Sequence, residues 1–159
     1  SYATLYNYFK DIKDLVFECA VEFLDEARAF VREASGSLPA GEKRLKAIVT
    51  AYMNYFIQYP GIFDLLFLEK ISRQGNHQQT AALIYGFLDS LIAEDAAALI
   101  ESGTLSRTEA EALASRLRFT SAGMLLFYVN RRHQQPYADF MEAAVREIDR
   151  TLTVRHTAG

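Results

Sequence analysis

The chain has 159 residues, half of them hydrophobic and 23% charged, with a formal net charge of −3. That length supports one domain with a sizeable core, and the composition is ordinary for a globular protein. Nothing in the charge balance demands a nucleic acid or an anionic membrane as partner. The single cysteine, Cys19, excludes an intramolecular disulfide and fits a reducing compartment. The longest unbroken apolar run, 122–129, is far below the roughly 18 residues of a membrane span, so no membrane partner and a cytoplasmic location are expected.

Residues 1–9 form an aromatic-rich opening with Tyr2, Tyr6, Tyr8 and Phe9, after which the chain turns charged. Over 12–34, apolar side chains recur at Ile12, Leu15, Val16, Cys19, Ala20, Phe23, Leu24, Ala27, Phe30, Val31 and Ala34, the spacing of a helix with one buried stripe. Asp14, Glu18, Glu22, Asp25, Arg28 and Arg32 make its solvated face. Asp11 is placed to cap it, and Gly36 to supply a left-handed residue behind it.

A second helix is expected from Pro39 or Ala40 to Gln58, because Tyr59 precedes Pro60 and is biased out of the helical region. Pro60 suits the first turn of a short helix over 60–71. After a turn at 72–76, Asn76 caps a helix predicted over 77–102, with Gln79 closing its box and Gly103 ending it. Ser106 and Glu109 form another capping box, for a helix to Arg132, whose paired arginines suit the negative helix end. Pro136 opens the last helix, to about Arg155. No stretch alternates with period two, so the fold class is all-α, an antiparallel helical bundle.

The segment "TLYNYFKDIKDL" (4–15) resembles the end of the helix-turn-helix of the tetracycline-repressor (TetR) family of bacterial transcription regulators. In that family a recognition helix reads roughly S-x-G-T-L-Y-x-[HY]-F, and a long helix opening K-x-x-L follows. Ser1, Ala3, Thr4, Leu5, Tyr6, Tyr8, Phe9 and Leu15 fall on that pattern. A weaker likeness covers the remaining run of helices, including the Y-P-G break at 59–61. The resemblance implies two parts: 1–11, the C-terminal remnant of a DNA-binding head, and 12–159, a ligand-binding and dimerisation domain. It assigns Thr4, Tyr6 and Tyr8 to DNA contact and Leu5 and Phe9 to packing. The family's lysine three residues after the Phe is Ile12 here, so the expected phosphate contact passes to Lys10 or Lys13, which flank it. A helix-turn-helix needs helices ahead of its recognition helix, so further residues before Ser1 are expected, and operator DNA is expected to bind only with them.

Tyr52, Tyr55, Phe56, Tyr59, Phe63 and Phe67 straddle the Pro60 break. Tyr85, Phe119, Thr120, Met124 and Phe127 can join them from later helices to wall an apolar cavity. No strongly charged residue lies clearly inside the apolar stripes and the carboxylates fall on solvated faces, so the expected effector is mostly apolar or aromatic. Residues 122–129 are apolar all round and need burial on more than one side. In the resembled family the last two long helices pair with the same two of a second subunit. That implies a homodimer through Leu117, Ser121, Leu125, Tyr128, Tyr137, Met141, Ala144 and Ile148.

His77, His133 and His156 are isolated from one another, so neither a metal site nor a cofactor is expected. No catalytic constellation occurs, so no enzyme is expected. Cys19 is expected to be buried and inert. The resulting expectation is a ligand-responsive transcriptional regulator, acting as a repressor on palindromic operator DNA. The rival is an all-helical dimeric carrier or interaction module for apolar small molecules, with no DNA binding.

Overall fold

The structure, a computed structural model, describes residues 12–68, 77–130 and 136–153. Among the described residues seven α-helices run in the order α1 (Ile12–Ser35), α2 (Glu42–Gln58), α3 (Pro60–Phe63), α4 (His77–Tyr85), α5 (Phe87–Glu101), α6 (Arg107–Val129) and α7 (Tyr137–Thr153). α3 runs directly into a π-helical turn, Asp64–Leu68. Among the described residues there is no strand, as the absence of period-two patterning implies.

α2 is the hub, packing against α1, α5, α6 and α7. Its sequence accounts for that role. Leu45, Val49, Tyr52, Met53 and Phe56 form one buried stripe, and Ile48, Ala51 and Tyr55 bury the adjoining face. A helix apolar on this much of its circumference must be covered from several sides. The sequence pattern assigned that property to 122–129 instead. There, only Leu125 is fully buried, and Phe127 is exposed. α1 behaves as its spacing implies, burying Ala20, Leu24, Ala27 and Val31, while Cys19 is half-buried at the edge of the stripe.

Several boundaries differ from the expectations. α2 starts at Glu42, because Gly41 stands before it at φ 137°, outside the helical region. Gly41 and Gly103 carry the positive φ values; Gly36 does not. What position 36 needs is space, since a Cβ there would lie 2.7 Å from the Arg32 carbonyl oxygen. The helix expected over 77–102 is two, α4 and α5, separated at Gly86, where ψ relaxes to −3°. The helix expected over 60–71 tightens into α3 and then widens into the π turn.

Ser106 and Glu109 form the capping box at the start of α6. The Glu109 N–H donates to Ser106 Oγ at 3.3 Å, and the Ser106 N–H donates to Glu109 Oε2 at 2.7 Å. Asp11 and Asn76, expected as caps, and Arg131 and Arg132, expected at a helix end, lie outside the described residues.

Candidate functional site

The aromatic cluster exists, and its centre is solid. Phe56 is fully buried and meets Tyr52, Tyr55, Phe63 and Phe67 with ring centroids 5.0, 5.3, 5.8 and 5.5 Å away. Phe63 and Phe67 stack at 4.8 Å. These tilted and edge-on pairs fill space as core aromatics do. Tyr55 also ties α2 to α1, its hydroxyl donating to the Phe23 carbonyl at 3.4 Å.

Empty space lies at the edge of the cluster, in a cavity of about 350 Å³ between α2, the π turn, α4, α5 and α6. Tyr52, Phe67, Ile84 and Leu88 form its apolar wall, and Arg118 and Ala122 close it from α6. Tyr85 and Phe119 also line it, and both are exposed, which sets its mouth at the surface. Of the residues expected to hold a ligand, Tyr52, Phe67, Tyr85 and Phe119 come together here. Tyr55, Phe56 and Phe63 are packed into the core, and Tyr59 is exposed at the Pro60 break. Thr120, Met124 and Phe127 do not line this cavity.

Arg118 corrects the expectation of an uncharged wall. Its Nη1 donates to Asp89 Oδ2 of α5 at 2.9 Å, and its guanidinium carbon lies 5.5 Å from the Phe119 ring centroid. The pairing is incomplete: Arg118 Nε and Asp89 Oδ1 are both buried, and among the described residues neither has a hydrogen-bond partner. Burial first, and then the nearby Asp89 carboxylate, push the Tyr52 hydroxyl well above its ordinary range, so it stays protonated and can donate.

A second charged pair on α5 corrects the expectation that all carboxylates are solvated. Asp95 is completely buried. Its Oδ1 accepts from the Gly41 N–H at 2.8 Å and from Arg44 Nε at 3.0 Å, and Oδ2 lies 3.2 Å from the same Nε. Arg44 Nη2 reaches Glu94 at 2.8 Å, so this guanidinium spans two carboxylates. Hydrogen bonds from Asp95 and then Glu94 hold Arg44 above its usual pKa. Asp95 thus accepts, from another helix, the backbone N–H of the residue at the N-cap of α2, the donor that the acid of a capping box takes. The spacing held the signal: Leu88, Ile92, Asp95 and Leu99 form one helical stripe, with the carboxylate in the middle.

The residues expected at a dimer interface divide. Leu117, Ser121, Leu125, Ala144 and Ile148 are buried within the single chain. Leu117, Ser121 and Leu125 of α6 and Ala144 and Ile148 of α7 thus belong to the chain's own core, where α6 packs against α2, α5 and α7. Tyr128 packs on Phe140 at 4.2 Å. Tyr137 and Met141 border an open groove of about 740 Å³ between α1, α2 and α7, where Tyr137 Oη donates to Asn54 Oδ1 at 2.7 Å. Lys46, on the same groove, is paired with Asp149 at 2.6 Å. Thr4, Tyr6, Tyr8 and Lys10 lie outside the described residues; Lys13 belongs to α1, but its side chain is not among those described.

Among the described residues no group of three or more His, Cys, Asp or Glu side chains is placed to hold a metal ion. Nor is any helix there long and apolar enough to cross a membrane. No protein-family model, curated protein or solved structure matches the chain.

Proposed function

We propose that this chain is the ligand-sensing and dimerising part of a TetR-like transcriptional repressor, with a small effector held in the cavity beside the aromatic cluster. The observation that carries the reading is the position of that cavity. Its wall includes Ile84 and Tyr85 of α4, and α4 packs on α1. α1 is in turn the helix that follows the stretch resembling a recognition helix, residues 1–9.

A ligand wedged between α4 and α6 pushes on α1 through one intervening layer. Arg28 adds a second link, lying 5.3 Å from the Phe87 ring centroid and 3.3 Å from Ser90 Oγ, both at the start of α5. The break at Gly86 divides this side of the cavity wall between α4, with Ile84 and Tyr85, and α5, with Leu88. The effector must bind the two arrangements of α1 with different affinity, or it moves nothing. A second copy of the chain would bring two recognition helices about one DNA turn apart, matching a palindrome.

The test is selection from a random DNA library, using the protein with any residues encoded ahead of Ser1 included. Enrichment of a palindrome whose half-sites lie about 10 base pairs apart supports the reading. A pool no richer in any sequence than the input contradicts it and leaves the carrier of apolar molecules as the better account.

A further inference from the structure

Arg44 and Arg118 both reach α5, and they end differently. Arg44 lies between two carboxylates, with Nε on Asp95 and Nη2 on Glu94. Arg118 has one, Asp89, bonded through Nη1 alone, and its Nε is buried without a partner among the described residues. A guanidinium presents its donors as a fork, and a carboxylate is the group that matches two of them at once. Arg118 lines the cavity with its guanidinium bonded to one carboxylate only, so it keeps donor capacity that a second carboxylate can use. We propose that the cavity binds a small aromatic or alicyclic carboxylate, its anionic head on Arg118 and its ring against Phe67, Ile84 and Leu88. This rests on reading the cavity as the effector site.

The rest of the wall fits that class of ligand. Among the described residues Arg118 is the one ionised side chain lining it, and no acidic or amide side chain among them offers an amine head a counter-charge. The other polar side chains among the described lining residues are Tyr52 and Tyr85, whose hydroxyls can donate to a carboxylate oxygen. A volume of about 350 Å³ lies at the small end for ligand pockets and suits a body of one or two rings. Asp89 holds the guanidinium in place from the opposite side. The bound acid would then complete for Arg118 the two-carboxylate arrangement that Arg44 already has.

Calorimetry on the whole chain tests this with benzoate, cinnamate and cyclohexanecarboxylate, each against its own primary alcohol. At least one acid is expected to bind about tenfold or more tighter than its alcohol. Arg118→Gln should erase that difference while the alcohol still binds. Asp89→Asn keeps the arginine and removes its competing carboxylate, so it should tighten the acid severalfold; the double variant covers the case in which Arg118→Gln alone fails to fold. Equal binding of acid and alcohol overturns the carboxylate proposal and leaves the cavity as an apolar site. An acid preference that survives Arg118→Gln, or an Asp89→Asn variant that binds acid no better, also overturns it. If no acid and no alcohol binds, the effector-site reading falls with it. The DNA selection can fail or succeed independently of all these outcomes.

Discussion

Two aspartates on α5 face two arginines on neighbouring helices, and the contrast between them separates scaffold from site. Asp95 is sealed: its oxygens are occupied by Arg44 and the Gly41 N–H, and its partner is shared with Glu94. Asp89 and Arg118 are each about a third exposed and share one hydrogen bond, with one buried polar atom left over on each. Both are charged pairs between helices. The first pins the start of α2 against α5 and has no capacity left. The second keeps capacity next to a cavity. A buried polar group without a partner is costly, so where one persists the arrangement favours whatever completes it.

The largest effect that would break this contrast is at Asp95. Asp95→Ala leaves Arg44 half-paired and the Gly41 N–H without its acceptor, and should cost about 3–5 kcal/mol in urea unfolding. Asp95→Asn should cost less, because an amide oxygen still accepts from Gly41. A loss below about 1 kcal/mol for Asp95→Ala would place the pair with ordinary surface bridges.

Next comes the residue beside Arg118. Leu117→Ala should cost about 2–5 kcal/mol if Leu117 is core, whereas Phe119→Ala should change stability by only about 0.5 kcal/mol. Comparable losses at the two positions would mean that the inner and outer faces of α6 are not distinct. Asp89→Ala, at a half-exposed pair, should cost about 1 kcal/mol or less by the same unfolding measurement.

The smallest effect concerns Glu109, an exposed carboxylate that is fully satisfied. The Ser106 hydroxyl and then the Ser106 N–H hold it below its usual range. Because its folded value is depressed, its contribution is complete above the ordinary carboxylate range and is lost as pH falls through the lowered value. Protection of the amides in the first turn of α6, relative to their intrinsic exchange rates, should therefore fall at acid pH, and Ser106→Ala should weaken that pH dependence without abolishing it, because the backbone N–H still donates.

Local chemistry was legible in the sequence. The Ser106–Glu109 box, the Gly103 terminus and the break at Pro60 depend on residues within a turn of one another, and each took the expected form. The interior was legible less often. The family resemblance places Leu117, Ser121 and Leu125 against a partner, and helical spacing identifies a face without saying what covers it; here the chain's own helices bury them. Asp95 sits on an apolar stripe, yet its counter-charge is Arg44, far away in the chain. The Gly86 break has no proline to announce it. Half of the cavity wall came from the expected aromatics, but Arg118 stood in a row of arginines at 116 and 118 that reads as solvated.

The central claim is that the cavity communicates with α1, and hydrogen–deuterium exchange with and without a bound acid such as cinnamate tests it most directly. The expected result is slower exchange in α4 and α6 at the cavity wall, together with a change along α1. Protection confined to the cavity wall, with α1 exchanging as in the free protein, would contradict the account.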